Sequence, residues 1–218
     1  MGTVASGPAL RRMGSWMGIV FVVLFVAGFL VFNTPSKGTD TAKWANWWND
    51  SGHRTAAVIG AYLIVLGLIA FVWFAASLRE RFQTGGGLLL TFASIFAAVG
   101  FVGTLVRATI PGNKTFGGSS ATPVPHGADL ARQLDGLGFG ILLVAGALSL
   151  GVFIFVVSNL ARRDGTLPGW LTVAGYVVAV LQLAGAFFFP FVLAVLWVLI
   201  AAILFVRQRT PAGASNPA

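Results

Sequence analysis

The chain has no cysteine, which excludes disulfides, iron–sulfur clusters and thiolate chemistry. Charge is almost as scarce. There are 6 acidic residues, 14 Lys and Arg and 2 His in 218 residues. Charged side chains make up 9% of the sequence, where a soluble domain carries about a quarter. With 57% of residues apolar, a water-soluble fold of this size could not hide that much apolar surface. Walker loop, HExxH, GxSxG and CxxC motifs are all missing. No apolar run holds a Lys, Asp, Glu or His that could relay protons or counter-charge a Schiff base, which argues against ion-driven pumps and rhodopsins.

What is present is long apolar runs. A spanning helix needs about 20 mostly apolar residues. Runs of that kind lie at 13–32, 55–77, 86–106 and 136–160. A fifth apolar stretch continues from Trp170 to Val206. As one helix it would be roughly 55 Å long at about 1.5 Å per residue. The hydrocarbon core is only about 30 Å thick, so the stretch must fold back. Pro190, in "GAFFFPF", lacks an amide proton and disfavours helix in the residue before it. This splits the stretch into spans at 169–187 and 190–206. The expected fold is all-α: a single polytopic transmembrane bundle of six spans, with loops at 33–54 and 107–135 on one face and tails at 1–12 and 207–218 on the other.

Arginine sets the orientation. Arg11, Arg12, Arg79, Arg81, Arg162, Arg163, Arg207 and Arg209 fall on one face, each cluster abutting a span. The positive-inside rule makes that face cytoplasmic, with both termini on it. No A-x-A-like site follows the first run, which is long for a signal-peptide core, so it is expected to stay as a span. The net charge of +8 thus tracks topology, and no nucleic-acid partner is expected. The segments starting at Phe71 and Phe153 align through Leu78/Leu160, Arg81/Arg163, Gly87/Gly169 and Leu89/Leu171, a candidate parallel hairpin repeat. Small residues spaced four apart, Gly136/Gly140, Ala147/Gly151 and Gly175/Ala179, are expected at close helix contacts.

The polar residues concentrate in "WANWWNDSGHRT", residues 44–55. Trp44, Trp47 and Trp48 share one helical face. Thr39 is the expected N-cap, Asp40 suits the first turn, and Gly52 is the expected stop. The reading is a short outer interfacial helix, an aromatic belt at headgroup level or a lid over a pocket. Asp50, His53, Arg54, Arg107, His126, Asp129, Arg132 and Asp135 lie on the same face. A charge near hydrocarbon is costly unless paired, so ion pairs are expected among Arg54, Arg107 and Asp135, Arg107 with Asp135 first. Two histidines in separate loops make a poor zinc set, so neither metal nor cofactor is expected. Gln182 is the one strongly polar residue deep in a span.

With "DSGHRTAAVIGAYLIVLGLIAFVWFAASLRERF" in view, the chain resembles a family of small six-span bacterial membrane proteins of unknown function, common in high-GC Gram-positive bacteria. The residues that carry the resemblance are Arg54, Gly60 to Leu63, Trp73–Phe74, Leu78–Arg79 and the "LPGWLTVAGYVVA" segment. It implies a bacterial plasma membrane and supplies no activity. The expected function is binding of a lipid or hydrophobic small molecule through the outer half, or service there as an accessory subunit. Membrane lipids, a second copy or a partner membrane protein are the expected partners. The alternatives are a small transporter or channel, and a lipid-acting enzyme using the outer Asp, His and Arg groups.

Overall fold

A computed structural model of the chain describes residues 8–35, 40–82, 85–117, 127–184 and 187–208. Thr39, His126, Lys37, Thr84 and Arg209 lie outside them. The described residues form helices α1 (Pro8–Val31), α2 (Thr41–Asn49), α3 (Ser51–Arg81) and α4 (Gly86–Phe116), then α5 (Gly127–Ile141) and α6 (Ala147–Asp164), followed by α7 (Gly169–Leu181) and α8 (Phe188–Arg207). A π-helical turn, Leu142–Gly146, joins α5 to α6, so the two make one continuous rod. Five helical stretches are long and apolar enough to cross a bilayer. The stretch Gly169–Ala184 is shorter.

Several boundaries move outward from those expected. Helix α4 does not stop at Val106 but continues through Pro111 to Phe116. Much of 107–135 is therefore helix, which carries Arg107 inside a rod and not in a loop. The helix containing the tryptophans begins at Asp40, whose carboxylate accepts from Ala42 N at 3.4 Å. It ends at Asp50, which is also the N-cap of α3, so Gly52 does not stop it and instead opens α3. Helix α7 gives way to a 3-10 turn at Gln182–Ala184, and α8 restarts at Phe188. Pro190 sits in the first turn of α8, where a missing N–H leaves no helical bond unmade.

In lipid, burying a side chain removes it from hydrocarbon, not from water, so close packing must hold the bundle. Helices α1 and α3 make the broadest contact. A Cβ on Gly28 would stand 2.8 Å from Gly60 O, and one on Gly60 2.8 Å from Gly28 O, so the two backbones touch. At the centre, Phe21 and Phe71 rings lie 4.7 Å apart, Phe71 and Phe96 5.1 Å, and Phe71 and Phe153 4.8 Å. The last pair are equivalent positions of the two aligned hairpins, and they meet edge to face across the core, at 60°. Large apolar side chains also cover the outside: Leu30, Tyr62, Leu105, Val173 and Leu183 are all well exposed. That inversion of the soluble pattern marks a membrane protein.

One end of the bundle is arginine-rich. Arg79 and Arg81, Arg162 and Arg163, and Arg207 occupy the last turns of α3, α6 and α8, where cations suit the helix dipole. Arg81 donates to Phe205 O at 3.1 Å and Gln208 Oε1 at 3.0 Å, and Gln208 donates to Thr166 O. These bonds tie three helix ends together. The opposite end carries α2.

Candidate functional site

Helix α2 lies across the end of the bundle. Trp44 and Trp48, one turn apart, drive their indoles into a cluster with Phe32, Ala57, Ala61 and Ala131. The alanines leave room for the rings, and each tryptophan is 1% exposed. An aromatic belt needs exposed indoles, so these two do not form one. The well-exposed tryptophans are Trp16, Trp73 and Trp170, toward the arginine end. Trp47 lies to one side, stacked on His53 with centroids 3.5 Å apart at 11°.

The polar residues of 44–55 fasten this helix. Arg54 donates to Trp48 O at 2.9 Å and Asn49 O at 2.8 Å. Lys114 donates to Asn49 Oδ1 at 2.8 Å. Arg54 thus satisfies carbonyls at the end of α2, where the dipole is negative, and Lys114 holds the Asn49 side chain beside them. Arg54 was expected in an ion pair. It takes backbone oxygens instead, because α2 ends within reach of its side chain. Asp50 Oδ1 accepts from His53 N at 2.9 Å and lies 3.4 Å from His53 Nδ1. The amide of His53, then that side chain's charge, holds the Asp50 carboxyl below its usual value of 3.8. At the other end, Thr41 donates to Asp129 Oδ1 at 3.4 Å. Arg132 is exposed.

Below α2 is a buried ion pair. Arg107 Nε and Asp135 Oδ1 are 2.9 Å apart, with side chains 6% and 12% exposed. Thr34 Oγ1 donates to Asp135 Oδ2 at 3.3 Å. The Arg107 guanidinium stands 4.3 Å from the centroid of Phe32, 5.3 Å from Phe139 and 5.8 Å from Phe29. Such ring faces attract a desolvated cation by about 2 kcal/mol. The room for this side chain comes from glycine. A Cβ on Gly138 would strike Gly103 O and lie 2.6 Å from Arg107 Cγ. Gly136 and Gly140, expected at a close helix contact, are not at this one: a Cβ on either would meet nothing within 4 Å among the described residues. They sit on the other side of the rod, since positions 136, 138 and 140 cannot share one helical face.

Next to the pair, between α1 and α8, is a crevice of about 280 Å³ whose lining, among the described residues, is apolar throughout and includes Val22, Phe25, Val26, Phe29, Phe188 and Phe191. Phe29 belongs to both places. Phe139 bridges them as well, with its ring 6.1 Å from Phe188. Gln182 does not join this site. It is fully buried at the end of α7 and donates to Pro190 O at 2.7 Å, closing the α7–α8 turn.

Reading the sequence missed Thr34, Lys114, Gly103, Gly138 and the three phenylalanines. The spacing of Arg107 and Gly103, one turn apart on α4, was the available signal for a close crossing at that height. No family model matches the chain, and no curated protein or solved structure matches it.

Proposed function

We propose that the chain is a six-span protein of the bacterial plasma membrane, with both termini in the cytoplasm, that binds a lipid or hydrophobic small molecule in its outer half. The α1–α8 crevice carries this reading. It is wholly apolar, and it lies on the side of a rod bundle whose surface is itself apolar. A concave apolar site beside a few polar groups is the general form of a ligand pocket. The arginine end supports the orientation through the positive-inside rule. The short α7 stretch pairs with α8 as the fifth and sixth spans. The resemblance to small six-span bacterial membrane proteins supports the compartment, and α2 then caps the outer face.

The other readings have less to stand on. A transporter needs a polar path, and the buried Gln182 side chain gives its Nε2 to Val178 O and Pro190 O at the α7–α8 turn, leaving a single Oε1 without a donor among the described residues. A lipid-acting enzyme needs a free base. The Asp50 carboxylate caps α3, and the His53 ring is covered by Trp47.

Lipid-resolved native mass spectrometry of the purified protein tests the proposal. The wild type is expected to retain bound lipid, and Val26→Trp, which fills the crevice from its open side, to lose it. Equal lipid retention by the two proteins would remove the crevice as the site.

A further inference from the structure

The charge pair uses only part of Arg107. Nε is taken by Asp135, while neither terminal amino group has an acceptor among the described residues. Arg107 is 7% exposed, yet those two groups are not among the sealed polar atoms. A guanidinium that keeps four N–H donors unanswered in an aromatic surround is poised for an oxygen-rich anion. The Trp48 indole N–H, in the same cluster around Phe32, is also buried with no acceptor among the described residues. Both unanswered groups are donors. The cluster therefore lacks acceptors, not hydrogen-bonding groups in general.

Height and charge narrow the ligand. The guanidinium lies beside Phe29, at the end of α1, and beside Phe139, whose ring meets Phe188 at the start of α8. An apolar chain lying in the crevice along α1 and α8 would end its apolar part at that level. Lys114 adds a second cation two turns further along α4. The planar fork of arginine fits phosphate oxygens two at a time.

We propose that Arg107 is the headgroup site of this crevice, taking through its terminal amino groups the phosphate of an anionic phospholipid whose acyl chain lies between α1 and α8. The proposal rests on the lipid-binding reading above and specifies its ligand. Asp135 fixes the guanidinium by holding Nε, and the three rings exclude water from its faces. A net-negative headgroup is favoured over a zwitterionic one because a choline would bring a second positive charge beside Lys114.

The test is native mass spectrometry of the full chain from micelles holding equal amounts of dioleoylphosphatidylglycerol and dioleoylphosphatidylcholine. The wild type is expected to retain the glycerol lipid with a roughly tenfold preference, because the phosphate that both lipids share, once held by Arg107, sets the choline charge of the other beside Lys114. Arg107→Gln is expected to keep a bound lipid and lose the preference. The double variant Arg107→Gln/Asp135→Asn, which strands no buried charge, reads the same quantity if the single variant does not fold. Val26→Trp is expected to lose both lipids. If Val26→Trp loses lipid while the Arg107 variants keep the full preference, the headgroup assignment is overturned and the crevice stands. If Val26→Trp keeps its lipid, the lipid-binding reading itself falls. If excess inorganic phosphate alone protects the wild type from heat as well as the glycerol lipid does, the site binds free anions and the proposal fails.

Discussion

Removing Arg107 leaves the buried Asp135 carboxyl without its cation and, among the described residues, with only Thr34 donating to it. Breaking one side of a buried ion pair typically costs about 3–5 kcal/mol, because the remaining charge stays desolvated. Arg107→Ala is therefore expected to lower the thermal midpoint in detergent markedly, with lipid present or absent. Replacing both partners by apolar residues, Arg107→Met with Asp135→Leu, should recover most of that loss. A midpoint for Arg107→Ala equal to that of wild type would show that water reaches Asp135 and that the pair is not enclosed. At the same scale, Arg54 shows how a side chain can be costed correctly and matched to the wrong partner. Its charge did need satisfying, and two carbonyls at the end of α2 supply what an aspartate was expected to.

The helices differ in what their glycines do. On α5, Gly138→Ala must displace both the α4 backbone at Gly103 and the Arg107 side chain, and overpacking of this kind costs about 1–3 kcal/mol. Gly136→Ala meets nothing within 4 Å and should be neutral, or stabilising by up to about 1 kcal/mol through helix propensity. Paired melting curves decide this, and equal losses at the two positions would contradict the crossing described here. The start of α3 has its own weakness, in acid. Asp50 is held below its usual value of 3.8, so its contribution is complete above that pH and is lost as pH falls through the lower folded value. Hydrogen exchange across the first turn of α3, residues 51–54, should be flat from pH 8 to about 5 after correction for intrinsic rates, and should rise below pH 3.8. Asp50→Asn should blunt that rise, since asparagine caps a helix without titrating.

For the whole molecule, the proposed topology places both ends on the arginine side. Reporter fusions at Ser6 and Ala214 should both report cytoplasm. Opposite results would mean an odd number of crossings and a different role for Gly169–Ala184. The membrane class could be read from composition, because 57% apolar residues cannot be concealed in water. The Arg107–Asp135 contact was legible from cost, since two opposite charges flanking apolar runs have few better options. The burial of Trp44 and Trp48 was not, nor was the Gly103–Gly138 crossing. Both depend on how each helix is rotated about its own axis, and nearly uniform apolar sequence leaves that rotation unmarked. A lipid-facing valine and a core valine look alike on the page, and here Val23 is exposed while Val22 is buried.

The π turn between α5 and α6 sets the phase of the whole rod. The buried side of the rod runs through Ala131, Asp135, Gly138, Leu142, Gly146, Leu150 and Val157. Between 138 and 150 it advances by four residues three times in succession, and a regular helix would drift sideways by about 40° at each such step. The wider turn, in which Ala147 N–H reaches back to Leu142 O, takes up the drift. It has the character of a single inserted residue that was kept. Deleting exposed Val144 should restore an unbroken α-helix and swing everything before it by about 100°. Asp135 would then face away from Arg107 while the lower half of the bundle stayed packed. Such a variant should still insert and keep the aromatic core. It should lose the ion pair and the seat of α2 together, as one shift of phase and not as two separate defects.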